Sequence, residues 1–322
     1  AATNKRGVFS LETVLERQDS NSWSKIPDVF RYVNTLAVPE TTGGPAYGYF
    51  AGGENSMNQG ISSVDRIDYG NDTATAAPKG PLSTPARYFG SASSNTSYGY
   101  FGGGPGAPSI IDRLDFGNDT ATATPKGNLS NGRYYLAGTG SDSYGYFIGG
   151  VGPAPESSLI DRIDYSNDTA TAAVKGPLSV GKRITGATGN QSYGYAGGGA
   201  TGNGGPDTTS VDRIDYSNDT PTTSQKGPLS SARQYHAAHG NASFGYFLGD
   251  AGNGAPGGGS VIDRVDYSSD TATATRVGDL SNSVGYFAGT GSGSFGYTAG
   301  TWSRRRACAS PFPQSRPAFR CS

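Results

Sequence analysis

One short phrase that mixes acidic and basic side chains occurs five times along the 322-residue chain. Val64-Asp65-Arg66-Ile67-Asp68-Tyr69 comes back at 111–116, 160–165, 211–216 and 262–267. Its leading acids are Asp65, Asp112, Asp161, Asp212 and Asp263, and its bases are Arg66, Arg113, Arg162, Arg213 and Arg264. Two carboxylates flanking an arginine could do acid–base work or hold a metal ion. A catalytic pair needs carboxyl groups in unlike environments, whereas five near-identical copies supply near-identical ones. The phrase therefore reads as a structural ladder, in which each Arg pairs with neighbouring Asp on adjacent strands and cross-links sheet edges.

Other chemistry-bearing residues give weaker signals. Asp164-Tyr165-Ser166-Asn167-Asp168-Thr169 puts oxygen ligands at close spacing and could hold calcium. An Asx-type turn, with Asn and Asp satisfying local backbone groups, explains the same residues more simply. Asn-Asp-Thr at Asn71, Asn118, Asn167 and Asn218 is also a glycosylation acceptor pattern. His236 and His239, the two histidines, are three apart, which on a strand points them to opposite faces and favours packing over a shared metal. The glycine clusters near Gly102 and Gly257 lack the helix and Lys-Ser/Thr of a phosphate loop. No metal, cofactor or catalytic residue is assigned.

Stepping from these residues to the elements that carry them, the repeat dominates. The leading acids are 47 to 51 residues apart, and an aromatic-Gly-Tyr phrase recurs at Tyr47, Tyr98, Tyr144, Tyr193, Phe244 and Phe295. Each unit reads as four short strands, exemplified by 133–137, 144–148, 159–165 and 169–174. Gly-Gly, Asn-Asp and Lys-Gly-Pro turns separate them. No capped stretch has a 3.6-residue period, so helix should be nearly absent. A four-stranded unit of this length is one blade of a β-propeller, whose radial repetition protects sheet edges. The pattern resembles the kelch repeat: Gly52-Gly53, Gly103-Gly104 and Gly149-Gly150 match its glycine pair. Asp68-Tyr69 inverts its Tyr-Asp turn, Pro85-Ala86-Arg87 matches its link, and Asn21 to Pro27 matches its Trp strand. The wording Asp-Arg-Ile-Asp-Tyr-Ser-Asn-Asp-Thr-Ala-Thr-Ala, with Lys-Gly-Pro-Leu-Ser, is also similar to repeat proteins of marine bacteriophages. That resemblance implies a virion or tail fibre component with a role in host attachment.

Counting first strands predicts an all-β, single propeller over residues 1–300 with six blades, or seven if the ends build more sheet. Strands near Thr13–Gln18 and Ser22–Ile26 would complete a last blade begun by 284–288 and 295–299, so both termini close the ring and leave no exposed edge. Residues 301–322 break the pattern as an Arg-rich tail holding Cys308 and Cys321, which could pair. Without the five tail arginines, 20 basic residues face 26 acidic ones, and an acidic body argues against nucleic acid as a partner. No apolar run is long enough to span a membrane, and Ala1–Ser10 has no signal-peptide core.

Within each repeat, the stretch from the leading Asp to the next Gly-Tyr is nearly constant, at 34 or 35 residues. The stretch from that Tyr to the following Asp varies from 12 to 17. Variation thus concentrates in the loop between second and third strands, on one face of the disc, where binding tends to reside. Asn55, Asn58, Glu156, Asn203, Asp207 and Asn253 are the candidate contacts there. The functional expectation is a non-catalytic virion structural protein that meets other virion proteins or a host surface glycan. A lectin or glycan-active enzyme on the same fold is the alternative. Kelch-type copper oxidases need a Cys beside a Tyr, and sialidases need a non-repeating arginine cluster; neither pattern is in the body of the chain.

Overall fold

A computed structural model describes residues 34–35, 47–55, 59–84, 90–105, 109–152, 157–183, 185–202, 205–249, 258–280, 288–293 and 296–299. They form a β-propeller. Blade I holds β1 (Asn34–Thr35), β2 (Tyr47–Ala51), β3 (Val64–Asp68) and β4 (Ala77–Lys79). Blade II holds β5 (Ser91–Ser94), β6 (Tyr98–Gly102), β7 (Ile111–Asp115) and β8 (Thr124–Pro125). Blade III holds β9 (Ala137–Gly140), β10 (Tyr144–Ile148), β11 (Ile160–Asp164) and β12 (Ala173–Val174). Blade IV holds β13 (Gly186–Gly189), β14 (Tyr193–Gly197), β15 (Val211–Asp215) and β16 (Ser224–Lys226). Blade V holds β17 (Ala237–Gly240), β18 (Phe244–Leu248), β19 (Val261–Asp266) and β20 (Thr275–Asp279). Each sheet is an antiparallel meander in chain order, and β21 (Ala288–Gly291) with β22 (Gly296–Ala299) makes a two-stranded hairpin.

The expected count of six or seven blades is corrected accordingly: the described residues form five four-stranded blades and one hairpin. The strands expected near Thr13–Gln18 and Ser22–Ile26 lie outside the described residues, as do the Trp23 segment and residues 301–322 with both cysteines. First strands lie innermost. β1, β5, β9, β13, β17 and β21 touch in that order, and β1 also touches β21. The inner strand of blade III begins at Ala137 rather than Arg133, because Tyr135 turns into the left-handed region at φ +60° and cannot join the ladder. The fourth strand shrinks from 169–174 to Ala173–Val174, because the preceding residues are spent on the turn.

Helix is confined, among the described residues, to single 3₁₀ turns. Those at Phe116–Asn118, Tyr165–Asn167 and Tyr267–Ser269 follow the third strands. Asp115, Asp164 and Asp266 cap them by accepting from the backbone N–H two residues on. The Asx-type turn anticipated here is therefore built by the last Asp of the phrase.

The core is a set of layers between blades. One layer joins Tyr146, Ile148 and Ile160 of blade III to Ala187, Ala196 and Ile214 of blade IV. Equivalent layers fill the I/II, II/III and IV/V seams. Small residues let neighbouring sheets approach: a Cβ on Gly102 would run into the Phe147 ring of the next blade. This thin-layer packing explains how a chain with 34% apolar residues sustains a large fold.

Candidate functional site

Alternation along the third strand decides where the charged phrase points. Asp161 and Arg162 are consecutive, so their side chains leave β11 on opposite faces. Arg162 lies opposite Tyr146 and donates to Oδ2 of Asp219 at 2.8 Å, across the seam in blade IV. Lys175 Nζ approaches the other oxygen of Asp219 at 3.2 Å, and the buried Tyr146 hydroxyl donates to the same carboxylate at 2.9 Å. Three donors of one blade thus converge on one turn acid of the next. Arg66, Lys79 and Tyr49 meet Asp119 in the same way. Arg113, Lys126 and Tyr100 meet Asp168, and Arg213, Lys226 and Tyr195 meet Asp270. The backbone repeats the link, since Gly80, Gly127, Gly176 and Gly227 each donate N–H at 2.8 Å to the carbonyl of that same Asp. A Cβ on any of these four glycines would collide with a backbone carbonyl of the next blade. The Lys-Gly phrase and the Asn-Asp turn are two halves of one seam.

Each ladder arginine also lies over the aromatic ring that opens its second strand, Arg66 over Tyr47 at 4.0 Å and Arg264 over Phe244 at 4.6 Å. Seam tyrosines stack on aromatics of the next blade, as Tyr146 does on Tyr216 with centroids 4.7 Å apart. Burial, reinforced by the neighbouring Asp219, pushes the Tyr146 hydroxyl well above the ordinary phenol range, so it stays a donor. Asp119 is held below the usual carboxylate range. Burial alone would raise it, but the hydrogen bonds from Lys79 and Tyr49 and the Arg66 charge outweigh that.

The leading acids face the other way and do not pair with the ladder arginines. Asp112, Asp161, Asp212 and Asp263 are fully buried, each against the linker that enters its own blade. Asp161 meets Arg133 at 3.1 Å, Asp212 meets Lys182, and Asp263 meets Arg233 at 2.7 Å. Linker serines close the remaining positions: Ser83 donates N–H and hydroxyl to Asp112, and Ser230 does the same to Asp263. Burial pulls the Lys182 ammonium below its ordinary value against the opposing pull of Asp212. Asp65 of blade I is partly buried, and burial raises its carboxyl. The sequence pattern did not reveal either the turn acids or the linker bases as partners. The signal was present as recurrence of Asn-Asp and of a base four residues before the inner strands of blades II to V.

Glycine pairs end the second strands with both residues at positive φ, for example Gly149 at +64° and Gly150 at +95°. There the variable loop leaves, and the incoming linker pairs with it: Tyr134 exchanges backbone hydrogen bonds with Val151, and Arg183 with Ala200. Variable loops and linkers therefore share one face. Asn55 on that face is buried and works inside its own loop, accepting from Gln59 N–H at 2.9 Å. Asp207 is half-buried and bridges to Ala200 through the backbone. Asn58, Glu156, Asn203 and Asn253 lie outside the described residues. At the inner rim of this face, Tyr135 and Tyr235 hold left-handed backbone at φ +60° and +54°, and their rings meet edge to face at 6.1 Å.

The histidines pack within the ring. His236 precedes β17 and its Nε2 accepts from Gly186 N–H at 3.2 Å, while His239 stacks on Tyr246 at 5.4 Å. A cleft of about 190 Å³ lies on the III/IV seam, lined by Arg213, Asp215, Asn218 and Asp219 among others. Among the described residues no three His, Cys, Asp or Glu side chains gather as a metal site, and no helix is long and apolar enough to cross a membrane.

No family model matches the chain, and neither does any curated protein sequence. A solved structure described as "Structure of YjhT" is similar with a TM-score of 0.64 at 12% identity, covering 82% of this chain and 89% of that one. At that identity the likeness concerns the fold alone.

Proposed function

We propose that the chain is a non-catalytic propeller of a phage particle or appendage, which uses the face of its variable loops to meet another virion protein or a host surface glycan. One observation carries the non-catalytic reading. Asp119, Asp168, Asp219 and Asp270 are each spent in the same Arg–Lys–Tyr arrangement between blades. A reaction centre breaks such equivalence, because acid and base roles require unlike environments. The virion setting is supported by the wording of the repeat, which is similar to marine phage proteins, and the kelch-like glycine pairs belong to the same reading.

Among the described residues the two-stranded hairpin, not a sixth four-stranded blade, stands between blade V and blade I. It meets blade I with seam chemistry. The Tyr297 hydroxyl donates to Asp72 at 3.0 Å, Tyr69 shares a hydrogen bond with Thr290 at 2.8 Å, and the Tyr69 and Tyr297 rings stack.

The test replaces the variable loops by the shortest one, 104–109, and measures binding to particles and to host cells alongside thermal unfolding. Binding should vanish while the melt is retained. Undiminished binding would move the functional surface elsewhere, to the Arg-rich tail first. Robust turnover in a glycan hydrolysis screen of the pure protein would overturn the non-catalytic reading and favour a glycan-active enzyme.

A further inference from the structure

At one seam a histidine stands where the others have a hydroxyl paired with a phenol. The third residue of β5, β9, β13, β17 and β21 is Ser93, Thr139, Thr188, His239 and Thr290 in turn. Thr139 shares a hydrogen bond with the Tyr216 hydroxyl of the next blade at 3.0 Å. Thr188 does so with Tyr267 at 3.1 Å, and Thr290 with Tyr69 at 2.8 Å. A glycine of the next second strand closes over each pair. A Cβ on Gly194, Gly245 or Gly48 would meet both the threonine methyl and the tyrosine hydroxyl. On the hairpin the corresponding glycine is Gly296, and the three atoms nearest a Cβ there all belong to the His239 ring. The imidazole thus lies between the Tyr246 ring, 5.4 Å away by centroids, and the backbone of β22. Around it the hold on the hairpin is slight. Gly289 packs on Ala237 and Ala238 of β17, and Asn241 Nδ2 donates to the Gly293 carbonyl at 3.2 Å on the surface. Tyr297, Thr298 and Ala299 are only half-buried, whereas Tyr146, Phe147 and Ile148 of β10 are buried.

A neutral imidazole suits this place and a charged one does not. The strands packed against β17 are β13, β18, β21 and β22. Among the described residues, their titratable side chains are Tyr246 on β18 and Tyr297 on β22, with Arg264 on β19 opposite Tyr246. None of these is an acid that could offset an imidazolium. The Tyr246 face attracts a cation, but burial outweighs it and lowers His239 to about 4. A protonated ring therefore favours an arrangement in which it reaches water, with β22 moved off it. We propose that His239 is an acid-sensitive latch: when it takes up a proton, the hairpin β21–β22 leaves blade V, the propeller opens at this seam and β17 is uncovered. The open form binds more protons than the closed one. Closure is fully supported above about pH 6.5 and weakens as pH falls toward the closed-state value. The latch goes beyond the binding role proposed above and does not rest on it.

Amide hydrogen exchange of the full chain tests the latch. Rates at pH 7 and pH 5 are corrected for intrinsic exchange and read separately for β21–β22 and for β10–β11 of blade III. A free two-stranded hairpin is marginal in water, so its amides exchange once it leaves the ring. Between the two pH values hairpin protection should fall about tenfold more than that of blade III. A full shift from 6.5 to about 4 would give about thirtyfold at pH 5, and the half-buried ring realises part of it. His239→Thr restores the hydroxyl of the other inner strands and should remove this difference. If that variant loses its cooperative melt, His239→Gln, which cannot titrate, carries the same readout. His236→Gln, at the other histidine, should leave the hairpin response in place. Equal loss of protection in the hairpin and blade III would mean that acid loosens the whole ring, and it overturns the latch. A hairpin response that persists in a folded His239 variant overturns it as well.

Discussion

Asp119→Ala tests the seam where its cause is most explicit. The carboxylate receives Arg66 at 2.7 Å, Lys79 at 3.1 Å and the Tyr49 hydroxyl at 3.0 Å. Asp119 is 8% exposed at its side chain and Arg66 25%, so the arginine can turn to water when its partner goes. Each lost ion pair is therefore counted near the surface value, about 0.2–1 kcal/mol. Tyr49 is 2% exposed and cannot reorient. Leaving its hydroxyl without an acceptor costs about 1–3 kcal/mol. The expected loss is about 2–4 kcal/mol, and for a ring of this size each kcal/mol lowers the melting temperature by about 2 °C. Tyr49→Phe, which removes the donor and leaves Asp119 with both cations, should cost only about 1 kcal/mol. Urea unfolding of both single variants and the double variant measures the terms, and the double variant should lose less than the sum. An Asp119→Ala protein within about 0.5 kcal/mol of native would refute the seam as a source of stability. So would strict additivity of the two changes.

Acid should loosen the ring through its histidines. Burial first, then the Arg233 charge, lowers His236 to about 3, and burial lowers His239 to about 4. Both lie below the unfolded value near 6.5, so the unfolded chain binds more protons; the stability is fully present above about pH 6.5 and is lost as pH falls toward the folded values. At pH 5 this amounts to about 2 kcal/mol for His236 and less for the half-buried His239, and His236→Gln/His239→Gln should flatten the melting profile between pH 7 and 5. Gly176→Ala should destabilise by about 2 kcal/mol or more in urea titrations, since the new methyl meets the Pro221 carbonyl across the seam; a native midpoint would show that the blades are not so closely set.

Much of the architecture follows from the sequence because repetition is a one-dimensional property. The 47- to 51-residue period, the aromatic-Gly-Tyr strands and the glycine pairs each specify a local backbone choice, and a meander needs only neighbours in sequence to pair. The placement of variable loops on one face followed from the same logic, since a blade fixes the direction of its loops. Partner identity did not follow. Arg66 and Asp119 are 53 residues apart, and their meeting depends on how one blade is rotated against the next. Nothing local distinguishes Asp68, two residues from Arg66 in the chain, from Asp119 as its partner. The structure gives Asp68 to a turn, where it accepts from Gly70 N–H, and gives Asp119 to the arginine. The opposite faces of Asp161 and Arg162 are implicit in strand alternation, yet which face looks forward around the ring is set only when blades pack. Blade number was the least legible feature, because it depends on closure angles accumulated over every seam. The left-handed tyrosines belong to the same class: Tyr135 is driven into that conformation by hydrogen bonds from two blades at once, a constraint that exists only after the blades have come together.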